Sequence, residues 1–169
     1  RQFMKRLWAP WRFEYVTRST DQGDLCVFCQ ALDPKAPSDY MLHLGAHVFV
    51  VLNKYPYSNG HVMVVPVRHV GRMEDATTEE LQELIRMTRL AEMALAEVYH
   101  AQGINVGMNI GRSAGAGVID HLHVHLVPRW EGDTNFMSVV ANTRVVPEDL
   151  GTSVNRLKPV FERLVKVSP

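Results

Sequence analysis

The stretch DHLHVHLVPRW, residues 120–130, constrains the fold most strongly, because histidines and aliphatic residues alternate along it. Side chains two positions apart lie on the same face of a β-strand, so the alternation predicts a strand with two chemically different faces. His121, His123 and His125 would form a row, with neighbours roughly 6–7 Å apart by the strand rise. The residues of the opposite face are predicted to pack into the core: Leu122, Val124 and Leu126.

Two earlier runs predict a hairpin. Residues 47–53 (HVFVVLN) and 61–67 (HVMVVPV) are rich in β-branched side chains, which favours two buried strands. A turn signal at Asn59 and Gly60 lies between them. Pro66 is expected at a strand end or an edge, because proline cannot donate a hydrogen bond to a neighbouring strand.

A long helix is predicted after the hairpin. Thr77 and Glu80 fit a capping box at its start, and Gly103 is a natural terminator. Its apolar residues recur at helical spacing and predict one buried face: Leu81, Leu84, Ile85, Ala91, Leu95 and Val98.

The remaining pattern completes an α+β fold. Residues 104–110 regain strand character, and a glycine-rich loop at residues 111–117 leads into the histidine stretch. The C-terminal segment predicts helix, which Pro159 should kink or interrupt, whereas residues 17–45 look irregular. Hairpins joined by one dominant crossover helix indicate an antiparallel sheet.

Composition narrows the function classes. The 169 residues include 18 basic and 18 acidic side chains, so no global excess of positive charge points to duplex nucleic acid or an acidic membrane. No apolar run is long enough to span a bilayer, and no signal-peptide pattern is visible. We therefore expect a cytoplasmic protein.

The three histidines allow two functional interpretations. They could bind one metal ion, although a flat row converges poorly on a single ion. Alternatively, each could have its own role around a phosphate group. A central imidazole would attack phosphorus while a backbone carbonyl holds its other nitrogen, and flanking imidazoles would contact phosphate oxygens and assist the leaving oxygen. The glycine-rich loop could supply backbone N–H groups to the same anion, which favours the second interpretation.

Cys26 and Cys29 form a C-x-x-C pair that is ambiguous when taken alone. It could be redox-active, incidental, or half of a zinc site, because structural zinc sites use four sulfur or nitrogen ligands. A thioredoxin-like role fits less well, since no βαβ pattern surrounds the pair.

HLHVHLV resembles the signature of the histidine triad (HIT) family. The similarity extends to VLNKYPYSNGHVMVVP, NVGMNIGRSAGAG and HLHVHLVPRWEGDTNF, and it covers most of residues 46–137. The resemblance implies a single HIT domain over residues 1–169, with a sheet of about five strands, one long crossover helix and a C-terminal helical segment. An aromatic segment that carries the cysteine pair (1–45) would precede the core (46–137), and an extension (138–169) would follow it. LWAPWR and VPRWEGDTNF are most similar to the prokaryotic, C-x-x-C zinc-containing branch of diadenosine tetraphosphate phosphorylases and hydrolases.

The resemblance also implies roles for individual histidines. His123 matches the nucleophile that attacks the α-phosphate, and His125 matches the histidine that contacts phosphate and aids departure of the leaving group. His121 matches the supporting first triad histidine, and His61 matches a histidine that orders the triad by hydrogen bonding. In family members with the cysteine pair, zinc is held by residues that match four positions here: Cys26, Cys29, His69 and His121.

Substrate contacts follow from the same resemblance. Asn53 matches the residue that holds the ribose hydroxyls, Asn109 lies on the phosphate side, and Trp130 would shape the substrate end. The loop before the triad departs from several eukaryotic members, which carry glutamine or serine there. In this chain Ser113 is the nearby hydroxyl. The expected phosphate donors are therefore backbone N–H groups, such as those of Gly115 and Gly117.

The function implied is that of a nucleotide hydrolase or transferase. It would cleave diadenosine polyphosphates at the α-phosphate through a nucleotidyl-histidine, with water or phosphate as acceptor, and homodimerisation is expected. Two alternatives stay open: an adenosine 5′-phosphoramidase of the same family, or a nucleotide-binding sensor or interaction module with little turnover. A zinc-stabilised nucleic-acid binder is disfavoured by the balanced charge.

Overall fold

Five antiparallel strands carry the site in the computed structural model, which describes residues 26–133 and 148–167. They are β1 (Met41–Leu44), β2 (Val48–Leu52), β3 (Val62–Pro66), β4 (Gly103–Gly107) and β5 (Val124–Arg129), in the sheet order β1-β2-β3-β5-β4. The α+β class and the antiparallel sheet are therefore confirmed. Residues 1–25 of the predicted aromatic segment (1–45) lie outside the described residues, as does most of the link between β5 and the C-terminal helix.

The hairpin forms as predicted. β2 and β3 pair over five residues, from Val48 with Pro66 to Leu52 with Val62. Pro66 is the last residue of β3, where a missing N–H does not interrupt the ladder. The expectation of irregular chain over residues 17–45 is wrong at two places. Residues 41–44 form β1, a four-residue edge strand specified by pairing with β2, and residues 27–31 form a short helix, α1 (Val27–Ala31).

The long helix α2 (Thr78–Tyr99) crosses from β3 to β4. Its capping box is confirmed: Glu80 N–H donates to Thr77 Oγ1 at 3.3 Å, and Thr77 N–H donates to the Glu80 carboxylate at 2.7 Å. The predicted terminator is wrong, because the helix ends at Tyr99, the next residue His100 takes the left-handed conformation (φ 49°), and Gly103 begins β4.

One residue of the predicted apolar face of α2 points away from the core. Ile85 is 65% exposed, whereas Leu84 and Met87 are buried. The buried face is centred on positions 84, 87, 91 and 94, and each residue turns the helix by about 100°, so position 85 lies beyond the margin of that face.

Two apolar clusters cover the two faces of the sheet. The larger one joins the sheet to α2 and to the C-terminal helix α3 (Leu150–Val167), and it includes Leu122, Val124 and Leu126 as predicted. On the opposite face, Phe28 of α1 packs with Phe49, Val51, Met63 and Val65. The histidines therefore lie on the face covered by α1.

Two details of the chain differ from expectation. β5 begins at Val124, so His121 and His123 precede the strand instead of lying on it. Leu122 N–H donates to Val70 O at 2.6 Å, which ties this segment to the loop after β3 and not to the strand itself. α3 continues through Pro159 without stopping, because Leu157 and Phe161 on either side are fully buried in the core. None of the described helices combines the length and the hydropathy that a membrane span requires.

Candidate active site and metal centre

The histidine cluster forms where β3 and β5 lie side by side. His61 immediately precedes β3, and His125 of β5 is paired with Met63 of β3. His123 precedes β5 by one residue, and its ring centroid lies 4.7 Å from that of His125. The structure therefore brings together the histidines that the sequence predicted to act together.

His123 has a defined tautomer. Its Nδ1 lies 2.8 Å from the backbone carbonyl oxygen of His121. A carbonyl can only accept, so Nδ1 carries the proton and donates, which leaves the lone pair on Nε2. The side chain is 4% exposed and packs against Phe28 at a centroid distance of 5.0 Å. This arrangement fixes the ring and leaves one nitrogen able to act as a nucleophile.

A chain of hydrogen bonds fixes the tautomer of His125. Tyr57 N–H donates to His61 Nδ1 at 3.1 Å, so that nitrogen carries no proton. His61 Nε2–H therefore donates to His125 Nδ1 at 3.0 Å. Because His125 Nδ1 accepts, the proton of the neutral ring lies on Nε2. His125 thus has an N–H to offer to a substrate oxygen.

Burial keeps these imidazoles neutral. It lowers the pKa of His61 to about 3, with further lowering by His125 and His123. It lowers the pKa of His125 to about 4, again with a contribution from His123. Burial also lowers the pKa of His123, although the hydrogen bond to His121 O acts in the opposite direction. The relay of neutral rings is therefore maintained at pH 7.

Four metal-ligating side chains form a second cluster beside the first. Cys26, Cys29, His69 and His121 offer one ligand atom each, and these four atoms lie within 4.8 Å of one another. We refer to these four residues as the metal cluster. Cys26 Sγ lies 3.3 Å from His121 Nδ1, and Cys29 Sγ lies 3.3 Å from His69 Nδ1 and 3.7 Å from His121 Nδ1.

The distances and the donor set fit a tetrahedral metal ion. Bonds of about 2.3 Å to sulfur and about 2.05 Å to nitrogen at a tetrahedral angle place sulfur and nitrogen roughly 3.6 Å apart. His121 Nε2–H donates to Pro66 O at 2.8 Å, which leaves Nδ1 unprotonated and directed at the cysteines. Burial, followed by the neighbouring Cys26, raises the pKa of the Cys29 thiol, and a bound cation would oppose that effect.

The predicted substrate residues lie at different distances from the histidines. Asn53 lies close to them: its Nδ2 is 3.4 Å from His61 Nδ1, and its Oδ1 accepts from Tyr55 N–H at 2.9 Å. Trp130 follows His125 by five residues, which is roughly 16 Å along a strand. Its indole N–H donates to Tyr99 O at 3.2 Å, so the structure places this ring at the end of α2 and not at the triad of the same chain.

The loop before the triad is a tight turn. Residues 112–114 form a 3₁₀ turn with Ser113 exposed at its centre. Gly115 has a φ of 84°, and its N–H donates to Arg112 O at 3.0 Å, so in this conformation it is not free for phosphate. Gly117 and Asn109 are both half-buried on either side of this turn.

Three contributors were missed by the sequence analysis. Tyr57 stacks on His61 at a centroid distance of 4.8 Å, in addition to its backbone hydrogen bond to that ring. Phe28 contacts the rings of both His121 and His123. The Pro66 carbonyl fixes the tautomer of His121. The sequence positions of two of them could have indicated these roles. Tyr57 lies four residues before His61, and Phe28 lies between the two cysteines.

Comparisons with known proteins agree with the fold and the cluster. Residues 23–132 match the family model of the HIT domain. The chain is 37% identical over 155 residues to the AP-4-A phosphorylase of Mycobacterium tuberculosis, which covers 88% of this chain and 80% of that protein. It is also 37% identical over 82 residues to the asymmetrical bis(5'-nucleosyl)-tetraphosphatase of Schizosaccharomyces pombe, covering 48% of this chain and 44% of the other. A zinc-bound histidine triad family protein from Mycobacterium smegmatis superposes with a TM-score of 0.69 at 25% identity, covering 85% of this chain and 97% of that one.

Proposed function

This chain belongs to the HIT family, and from that premise we propose that it cleaves diadenosine polyphosphates at the α-phosphate through a nucleotidyl intermediate on His123. The observation that carries the proposal is the pair of fixed tautomers. His123 presents an unprotonated Nε2, and His125 beside it presents an Nε2–H. A nucleophile and a proton donor side by side are what displacement at phosphorus requires.

In the first step His123 Nε2 attacks the α-phosphorus. A nitrogen–phosphorus bond forms, and the bond from that phosphorus to the bridging oxygen breaks, with its electron pair leaving on the polyphosphate. His125 Nε2–H donates a hydrogen bond to the departing oxygen and can transfer its proton. His61 Nε2–H, held on His125 Nδ1, keeps the His125 ring in the donating orientation. Diadenosine tetraphosphate would release ATP at this stage.

In the second step an acceptor displaces His123 from the adenylyl group. Water gives AMP, and inorganic phosphate gives ADP, with the nitrogen–phosphorus bond broken in both cases. Relatives of both kinds are similar to this chain, one a phosphorylase and one an asymmetrical tetraphosphatase. The similarity to the phosphorylase extends over more of the chain, which favours phosphate as the acceptor.

The decisive experiment is incubation with diadenosine tetraphosphate in the presence and absence of inorganic phosphate, with products separated by chromatography. ADP plus ATP identifies a phosphorylase, and AMP plus ATP identifies a hydrolase. His123→Ala should abolish turnover, whereas His47→Ala, which removes an exposed histidine outside the cluster, should retain it. Absence of turnover by the native protein, or full turnover by His123→Ala, would contradict the proposal.

The same assay separates the two alternatives. Faster cleavage of adenosine 5′-phosphoramidate than of any diadenosine polyphosphate would identify a phosphoramidase, because His125 could also protonate a leaving nitrogen. Tight binding of AMP with negligible turnover of every adenylyl compound would identify a nucleotide-binding module.

We also propose that the metal cluster binds zinc. Two thiolates and two imidazoles are a common structural zinc set, and the interatomic distances support it. Zinc measured by atomic emission should approach one ion per chain. Cys26→Ser should lower this stoichiometry. His47→Gln, which replaces an exposed histidine outside the metal cluster, should leave it unchanged. Native protein that takes up no zinc when titrated with it would refute the zinc assignment.

A further inference from the structure

We infer that the metal cluster positions the nucleophile, so that occupancy of the cluster sets the turnover of the active site. The inference rests on the proposed function, in which His123 attacks phosphorus. Its structural basis is that His121 belongs to both sites: the side chain is a candidate metal ligand and the backbone carbonyl holds the nucleophile.

His121 is fixed at three points. Its Nδ1 faces Cys26 Sγ at 3.3 Å and Cys29 Sγ at 3.7 Å. Its Nε2–H donates to Pro66 O, and its own carbonyl oxygen accepts from His123 Nδ1–H, each at 2.8 Å. A metal bound at Nδ1 would therefore fix the residue whose carbonyl selects the His123 tautomer.

Two further contacts connect the metal cluster to the nucleophile. Phe28, between the two cysteines, packs its ring against His121 at 5.4 Å and against His123 at 5.0 Å. Val70, which follows the candidate ligand His69, accepts a hydrogen bond from Leu122 N–H at 2.6 Å. Each segment that supplies a ligand therefore also touches the short segment 121–123.

The physical consequence concerns the proton on His123. A neutral imidazole exchanges between two tautomers, and the form with the proton on Nδ1 leaves Nε2 able to attack. The carbonyl of His121 selects that form only while it is directed at Nδ1. Without metal, the His121 ring would keep one strong anchor, at Pro66, and the carbonyl would be held less firmly. The fraction of reactive His123 would then fall while substrate contacts elsewhere stay in place.

The test measures three quantities as zinc is removed with a chelator and then restored. These are bound zinc by atomic emission, kcat and KM for diadenosine tetraphosphate, and the His123 tautomer by nitrogen-15 NMR of labelled histidine, assigned by the signal missing in His123→Gln. We expect kcat to fall about tenfold or more, as for removal of groups that orient a site. KM should change little, the His123 signal should shift from one tautomer to a mixture, and added zinc should reverse both effects.

A ligand variant repeats the test without a chelator. Cys29→Ser is nearly isosteric and leaves both His121 and His123 intact, so its kcat should be low at limiting zinc and should rise as zinc is added. His47→Gln is the matched control, because this exposed histidine lies outside both clusters. The kcat of this variant should respond to added zinc in the same way as the kcat of the native protein. Circular dichroism at each zinc level restricts the comparison to folded protein.

The outcomes separate the inference from the proposed function. Loss of zinc from folded protein with kcat and the His123 tautomer both unchanged would overturn the inference and leave the proposed function standing. If the zinc-loaded native protein shows no turnover, the proposed function fails, and the NMR measurement still decides whether the metal sets the His123 tautomer. Should chelation unfold the native protein, the zinc titration of Cys29→Ser in its folded range decides the question in the same way.

Discussion

At the scale of single residues, the site depends on which nitrogen of each imidazole carries the proton. Backbone groups determine two of these tautomers. The His121 carbonyl selects the tautomer of His123, and the Tyr57 N–H selects that of His61. The His61 ring passes the selection on to His125. Three similar side chains thereby acquire different tasks, and each task can be removed separately.

Replacing His61 by phenylalanine should impair the leaving-group step without disturbing the nucleophile. The ring volume is kept in a fully buried position, but the donor to His125 Nδ1 is lost. We expect kcat for diadenosine tetraphosphate to fall by about 10²-fold, at the lower end of the contribution of a general acid, with little change in KM. His43→Phe on β1 is the matched control, since its ring packs on Phe161 away from the triad. Equal losses in the two variants would argue against the relay.

The same residue should make stability depend on pH. The native pKa of His61 is about 3, whereas in the unfolded chain it is about 6.5, so the unfolded state binds more protons between these values. The free energy of unfolding should therefore decrease as pH falls from about 6.5. Urea denaturation of the native protein and His61→Phe at equal zinc, from pH 7.5 to 4.5, measures this. The free energy of unfolding of the native protein minus that of His61→Phe should decrease on acidification, because only the native protein carries this histidine. A constant difference would contradict the assignment.

At the scale of elements, the start of α2 is tied to the strand that leads to the metal cluster. Glu80 closes the capping box and also accepts two hydrogen bonds from Arg68, at 2.9 and 2.8 Å. Arg68 donates a third to Asp75 O at 2.7 Å, and it directly precedes His69. The hydrogen bond from Arg68 is the main cause that lowers the pKa of Glu80, so the carboxylate is charged at neutral pH.

Glu80→Gln should therefore destabilise the fold more than a neighbouring change of the same kind. Glutamine weakens both the cap and the paired hydrogen bonds in a buried position, which should cost about 1–2 kcal/mol of unfolding free energy by urea denaturation. Glu79→Gln alters an exposed carboxylate in the same helical turn and should lose clearly less stability than Glu80→Gln. If both variants lose the same stability, the tie between β3 and α2 contributes nothing.

At the scale of the whole molecule, the two sheet edges differ. β1 is half-covered, whereas β4 is exposed at Gly103, Asn105, Val106 and Gly107. An exposed edge strand presents unpaired backbone groups that can pair with another chain. We propose that the homodimer expected from the family resemblance forms through this edge.

Light scattering after size-exclusion chromatography should give twice the chain mass. Val106→Asp, which places a charge on the exposed β4 edge, should shift the mass toward one chain at the same concentration, because burying a carboxylate in an interface is unfavourable. Ile85→Asp alters a similarly exposed apolar side chain on α2 and should leave the mass unchanged. A native monomer would refute the dimer, and loss of dimer in Ile85→Asp alone would place the interface on the helix.

The sequence by itself determined the features that depend on local periodicity and local hydrogen bonding. The alternation of histidine with aliphatic residues placed Leu122, Val124 and Leu126 in the core, and the spacing of Thr77 and Glu80 defined the start of α2. These succeed because side-chain direction in a strand and capping in a helix are set within a few residues of the chain. The same local rules misplaced Ile85, whose exposure depends on where the packed face of the helix is centred. They also misplaced the end of the helix, which is set by the left-handed conformation of His100.

Only the tertiary structure decided how the histidines are used. Cys26 and His121 are 95 residues apart in sequence, and their meeting depends on α1 folding over the sheet. The tautomer of His125 depends on His61, which is 64 residues away, directly before the neighbouring strand. Hydrogen bonds and metal geometry require atoms to lie within a few ångströms of each other. The local sequence pattern can therefore identify the residues of this site. Only the pairing of β3 with β5 determines which nitrogen of each ring carries the proton and which group it contacts.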